Sequence, residues 1–389
     1  MRRLAFLLPL YLLVFSAFLQ GVKAGGCIEG EEYALIVADP GLEERDNGVP
    51  FSIDVCDKLY QILTTQYSFK SITYLKGSSV TKANVRSAIS DLVKTSTRID
   101  FVFIFIICHG GGWDKIKARQ YPYDDQFVDC RVEENSDEGM EANEAMFYPD
   151  GDPNKWYGID ESLKFTGSGV KEIYWDDEFA SDLSGLNCWR LALVLSSCAA
   201  VNSTEHCFSG GLIDDLSKPN RIIITTSNET SSSHFHPYRY DNWDDLFISA
   251  FDKYSEDFNR ADVDEDDKVS FKEAFDYAKN YSYSTTVRGD TPWLDDDGDL
   301  FPTFVQGEDY LDYDDGQMAS ETFLNNDLYF WIESDINGDG CVNVKDAVLL
   351  GAAFGSKEGD PDWNPDCDLN DDGVINIKDA VILQADFGL

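Results

Sequence analysis

The chain is 389 residues long with 43% hydrophobic side chains, enough for a real core and for two or three domains at roughly 150 residues each. Acidic side chains number 72 against 31 basic ones, a formal charge of -41, and such a polyanion is repelled by nucleic acid, which excludes that class of partner. The carboxylates are clustered, and clustered carboxylates on an exported chain point to calcium.

Export is read from the amino terminus. Arg2 and Arg3 precede an apolar run over 4–19, and Val22-Lys23-Ala24 sets small residues where a signal peptidase reads. Residues 1–24 are expected to be a signal peptide, with an uncleaved anchor as the alternative. No later stretch has the length and apolarity of a span, so no membrane contact is expected after signal removal, and the product is expected to be secreted or held at the cell surface. All nine cysteines lie beyond the leader; an oxidising compartment permits several bridges, and an odd count leaves a thiol over.

From residue 33 onward the pattern alternates. Strands are expected at 34–38, 71–75, 100–107, 191–195 and 221–226, and helices at 50–65, 81–95 and 209–216. This order predicts an α/β fold, a mostly parallel sheet with helices on both faces, whose chemistry lies beyond the carboxyl ends of the strands. Two of those ends carry reactive side chains. The run 101–107 leads into Cys108-His109-Gly110-Gly111-Gly112, and 191–195 into Ser196-Ser197-Cys198. Cysteine at one strand end and histidine at another are a nucleophile and a general acid/base that a sheet brings together, and the glycines let an N–H approach a developing oxyanion. His-Gly-Gly-Gly also serves some esterases, but their Gly-x-Ser-x-Gly elbow is lacking.

His-Gly after one hydrophobic strand and cysteine after a later one resembles the caspase-like cysteine peptidases, within them the legumain-like (C13) group. The resemblance covers roughly 30–325, includes the segments 207–221, 222–227 and 241–250, and implies a peptidase domain over 25–328. It implies a Cys/His dyad that hydrolyses peptide bonds of a protein or peptide substrate, with His109 as acid/base and the N–H of Gly110 as an oxyanion donor. In relatives the cysteine and Ser-Gly-Gly are contiguous; here residues 198–206 intervene, so either Cys198, by strand position, or Cys207, by motif context, is the nucleophile. Two other classes stay open: a silent caspase-like domain used for calcium-dependent adhesion or assembly, and a carbohydrate-active hydrolase.

Within this domain Asp262, Asp264, Asp266, Ser270 and Glu273 stand at positions 1, 3, 5, 9 and 12 of an EF-hand-like loop, with the carbonyl of Lys268 at position 7 and Asp267 where glycine is usual. Asp295-Asp-Asp297-Gly-Asp299 follows closely and is a candidate to share that site. His234-Phe-His236 is expected in an exposed loop, as are the sequons at Asn202, Asn228 and Asn280. The acidic stretch 124–152 reads as a surface insertion.

The last segment contains a repeat. Asp335, Asn337, Asp339, Asn343 and Asp346, with the carbonyl of Cys341, recur as Asp368, Asn370, Asp372, Asn376 and Asp379 with the carbonyl of Val374. Oxygens in this spacing encircle one hard cation, Ca2+, and a short apolar helix follows each loop. A module this small needs its ions to fold. The repeat resembles the dockerin family, which has Asp at position 12, and 329–389 is expected to be a small all-α dockerin. The resemblance implies a cohesin-bearing scaffold protein as partner, with Val344-Lys345 and Ile377-Lys378 at the partner-reading positions. Cys341 and Cys367 are candidates for a bridge between the loops.

Overall fold

The structure, a computed structural model, describes residues 30–111, 131–134, 157–160, 162–200, 209–228, 233–298, 315–324, 334–337, 342–370 and 372–387. The signal segment, Cys207, Gly112, Asn202, Asp339, Cys341 and most of the insertion lie outside the described residues. Contacts divide the chain into a large unit, Glu31–Asn326, and a small one that holds Asp327–Leu389.

The large unit is built on β1 (Glu32–Ala38), β2 (Ser71–Lys76), β3 (Phe101–Gly111), β6 (Ser162–Phe165), β7 (Glu172–Trp175), β8 (Arg190–Ala200), β9 (Arg221–Thr225), β10 (Ser233–Phe235) and β11 (Trp293–Asp295). The strands β4 (Arg131–Glu134) and β5 (Tyr157–Asp160) pair separately. The main order is β11-β9-β8-β3-β1-β2, parallel except for β11 at the edge. Because β2 and β3 lie on opposite sides of β1, the winding reverses there, and a crevice opens at the carboxyl ends of β1 and β3.

Burial on both faces explains why β3 is an unbroken apolar run. Its residues Val102, Ile104, Ile106 and Cys108 join the core under α2 (Lys82–Thr95) and α3 (Asp176–Leu183), with Val85, Ile89, Leu92, Phe179 and Leu183. The alternate residues meet an aromatic layer: Phe103 lies 5.4 Å from Phe271, and Phe105 lies 6.3 Å from Phe247. That layer belongs to α4 (Trp243–Ser249) and α5 (Phe271–Tyr281), beside α1 (Phe51–Gln66), which buries Val55, Cys56, Leu59, Ile62 and Leu63 at helical spacing. Thr81 caps α2, accepting from Asn84 N at 3.1 Å.

Several expectations are corrected. The strand expected to end at 107 runs on through His109 to Gly111, because β6 supplies an antiparallel partner for the glycines. The strand expected at 191–195 continues to Ala200, paired beyond Ser197 with β10. The helix expected at 209–216 divides into a tight turn, Ser209–Leu212, and one helical turn, Ile213–Leu216, as two glycines in its first half favour. His234 is not in an exposed loop: it is the centre of β10, and its Nδ1 lies 2.7 Å from Asp290 Oδ1. Asn228 is 6% exposed, unlike a surface sequon.

In the small unit α7 (Val344–Ala353) and α8 (Ile377–Asp386) bury Ile336, Val342, Leu350, Ala353, Cys367, Ile375, Ala380 and Leu383 between them. Cys367 is a free buried thiol within that core, and the Asn364 amide donates to its sulfur at 3.3 Å; its candidate bridge partner, Cys341, lies outside the described residues.

Candidate functional site

The parallel ladder between β3 and β8 ends at Cys108 and Ser197. From the next register position, His109 on one strand and Cys198 on the other, the strands part: β3 turns to β6, with His109 opposite Lys164 and Gly110 opposite Leu163, and β8 turns to β10, with Cys198 opposite Ser233. The β3–β8 ladder therefore stops between these two backbone positions. Gly110 is required for close approach, since a Cβ there would lie 1.8 Å from Ser197 Oγ.

His109 is partly exposed, and its Nε2 stands 3.2 Å from the carbonyl oxygen of Gly41, in the turn after β1. Asp39 shapes that turn. Its Oδ2 accepts from Gly41 N at 3.1 Å, and its Oδ1 accepts from Thr166 N at 2.7 Å and Thr166 Oγ1 at 3.0 Å. Burial pushes the Asp39 carboxyl above its ordinary range, against the pull of the Thr166 and Gly41 donors and of nearby His109. Neither Asp39 nor Gly41 was singled out by sequence reasoning; the one available signal was an aspartate directly after a buried strand. Deeper on the α4 side, burial and the neighbouring charge of Asp245 push Asp244 up to about 7.

The loops of the small unit are arranged for a cation. In the second, Asp372 N donates to Asp368 Oδ1 at 3.2 Å and to Asn370 Oδ1 at 3.0 Å, Gly373 N to Asp368 Oδ2 at 2.8 Å, and Val374 N to Asp372 Oδ1 at 3.2 Å. These bonds turn the carboxylates inward around a bend that Gly373 makes at φ +76°. Asn376 N donates to Asp379 Oδ2 at 2.6 Å, and Asn376 Oδ1 caps α8 by accepting from Lys378 N at 3.0 Å. Asp379 is 0% exposed, and its Oδ1 has no hydrogen-bond partner among the described residues. A buried anionic oxygen left in this state fits a metal ligand. In the first loop buried Asp346 accepts from Asn337 N at 3.1 Å, Asn337 Nδ2 at 2.7 Å and Asn343 N at 2.8 Å; Asp335 precedes them.

The internal loop 262–273 repeats the second loop bond by bond. Asp266 N reaches Asp262 Oδ1 at 3.1 Å and Asp264 Oδ1 at 3.3 Å, Asp267 N reaches Asp262 Oδ2 at 3.1 Å, Lys268 N reaches Asp266 Oδ1 at 2.8 Å, and Ser270 N reaches Glu273 Oε2 at 2.8 Å. Asp267 takes the bend at φ +65°, a left-handed conformation without glycine. Oxygens of Asp262, Asp264 and Glu273 lie within 4.8 Å of one another; Asp295 and Asp297 group separately with Asp315, so they do not share this site as expected.

An α/β domain with a histidine in its switch-point crevice, followed by a duplicated calcium-loop module, is the class these features define. The module is a dockerin: residues 333–387 match the Dockerin type I domain. Domains of this type bind calcium through EF-hand-like loops and bind cohesin-bearing scaffold proteins, which implies assembly into a cellulosome-like complex, and proteins bearing them are typically extracellular. Among the described residues no helix is long and apolar enough to cross a membrane. No curated protein matches the chain. A Geobacter sulfurreducens protein, solved in crystal form as a structural genomics target, is similar over 64% of this chain and 88% of its own, at 11% identity and a TM-score of 0.38. Neither likeness bears on the peptidase resemblance of residues 30–325.

Proposed function

We propose that the large unit is an exported cysteine endopeptidase tethered by its dockerin to a cohesin-bearing scaffold. The observation that carries this reading is the parting of β3 and β8 at the register of His109 and Cys198, which favours Cys198 over Cys207 as nucleophile. With Nε2 donating to the Gly41 carbonyl, Nδ1 is the basic nitrogen of the ring. It takes the thiol proton, and the thiolate attacks the peptide carbonyl to give a tetrahedral intermediate. The N–H groups of Gly110 and of the cysteine hold the oxyanion. His109 then protonates the departing amine, and water cleaves the thioester. Asp39 acts through Gly41 as a positioning residue.

The same reading assigns a structural calcium ion to 262–273, supported by its identity of bonding with the second dockerin loop. It also assigns cohesin contact to Val344, Val348, Ile377 and Val381, which hold equivalent repeat positions and are 48%, 55%, 55% and 58% exposed; apolar side chains so exposed mark a docking surface.

A thiol-directed peptidyl probe, followed by mapping of the modified residue, tests the reading. Labelling at Cys198 that disappears in a folded His109→Ala variant is expected. Labelling at Cys207 would move the nucleophile, and a chain that takes no label, or hydrolyses peptides equally well without His109, would not be this kind of enzyme.

A further inference from the structure

Apart from the crevice and the loops already described, Asp295, Asp297 and Asp315 bring carboxylate oxygens within 4.8 Å of one another. Asp295 closes β11 opposite Ile223 of β9. Asp315 directly precedes the turn into a short helix, α6 (Gln317–Ser320 in chain position between α5 and α7). The intervening Asp296 clasps the two segments: its N–H donates to Asp315 Oδ1 at 2.9 Å, and its carboxylate accepts from Gly316 N at 2.7 Å and Ala319 N at 2.6 Å.

This is a buried arrangement. Asp295, Asp296 and Asp315 are 0%, 1% and 8% exposed, and only Asp297 faces solvent. The second oxygen of Asp315, Oδ2, is buried without a hydrogen-bond partner among the described residues. Of the cations described nearby, Arg190 acts on Asp296 through its charge and also holds other partners. Arg190 donates to Met318 O at 3.2 Å and Thr322 Oγ1 at 2.6 Å and pairs with Glu321, while Lys272, which packs against Gly316, pairs with Asp276. Several carboxylates in one low-dielectric spot are costly unless an opposite charge sits among them.

We propose that Asp295, Asp297 and Asp315 hold a divalent cation, which pins the antiparallel edge strand β11 to α6. Hard, all-oxygen ligands select calcium, the ion that the dockerin of this chain also takes.

Equilibrium dialysis of the full chain against calcium counts the ions. Asp297→Asn alters an exposed side chain and keeps the fold; it is expected to bind one ion fewer than the unmodified chain. Asp315→Asn is expected to lose the same ion while keeping an acceptor for Asp296 N–H. In chelator, Asp315→Asn should melt above the parent chain, because a buried repulsion is gone, and with calcium it should melt below it. Equal ion counts in all three proteins overturn the assignment, as does a calcium-induced rise in Tm that is the same in all three.

Discussion

Adding one methyl group at Gly110 tests the geometry of the crevice most directly. A Cβ there would stand 1.8 Å from Ser197 Oγ and 3.0 Å from Ser197 Cβ, where unstrained atoms keep about 3.5 Å. Ser197 is fully buried at the last position where β8 pairs with β3, so the hydroxyl must rotate into packed surroundings or the strands must separate. Overpacking of this kind costs about 1–3 kcal/mol. Gly110→Ala should therefore lower the urea midpoint of the large unit and slow labelling by the peptidyl probe. Ser197→Ala removes the 1.8 Å contact and leaves the 3.0 Å one and an ordinary contact of 3.4 Å with Ser162 O; its own cost is small, because Ser197 Oγ has no hydrogen-bond partner among the described residues. In the double variant the loss should shrink by about 1 kcal/mol or more, a coupling typical of touching residues. If Gly110→Ala is as stable as the parent, or if the two losses simply add, the close approach of β3 and β8 described above is wrong.

Asp244 predicts a pH dependence. A carboxyl raised to about 7 binds its proton more tightly in the folded chain than in the unfolded one, so its contribution falls as pH rises from about 4 to about 7 and is constant above. Asp244→Asn should remove that slope, on the order of 4 kcal/mol at most; urea midpoints across this range that run parallel for the two proteins would rule it out. Chelation of calcium should unfold α7 and α8, since the ions are part of the folding free energy of so small a module. Far-ultraviolet circular dichroism should show helix lost and regained on adding calcium, and an unchanged spectrum would count against it. Asp267→Gly relieves a left-handed residue and should raise stability in chelator by about 1 kcal/mol; a loss in thermal unfolding would mean that the aspartate side chain stabilises the bend.

The dockerin loops were legible in sequence because all their ligands fall within twelve-residue segments, where a turn around one ion needs no distant partner. The alternation that builds the sheet was legible for the same reason: burial on both faces leaves continuous apolar runs such as 101–107. Element ends were less so. Glycines after His109 read as a strand exit, yet a partner from far along the chain, β6, recruits them into a ladder, and β10 does the same for the residues after Ser197.

Only the tertiary structure decided what surrounds His109 and what completes the acidic cluster at Asp295. The Gly41 carbonyl and the Asp39 carboxylate come from the end of β1 and the register position of Cys198 from β8, far apart in the chain from His109 on β3, and no local pattern names them together. Asp315 likewise reaches Asp295 across a stretch of chain, through the N–H groups that Asp296 gathers. Local spacing encodes a ligand loop because the chain closes upon itself within a few bonds; a site assembled across strands is encoded by which strands become neighbours, and that follows from burying the whole sheet at once.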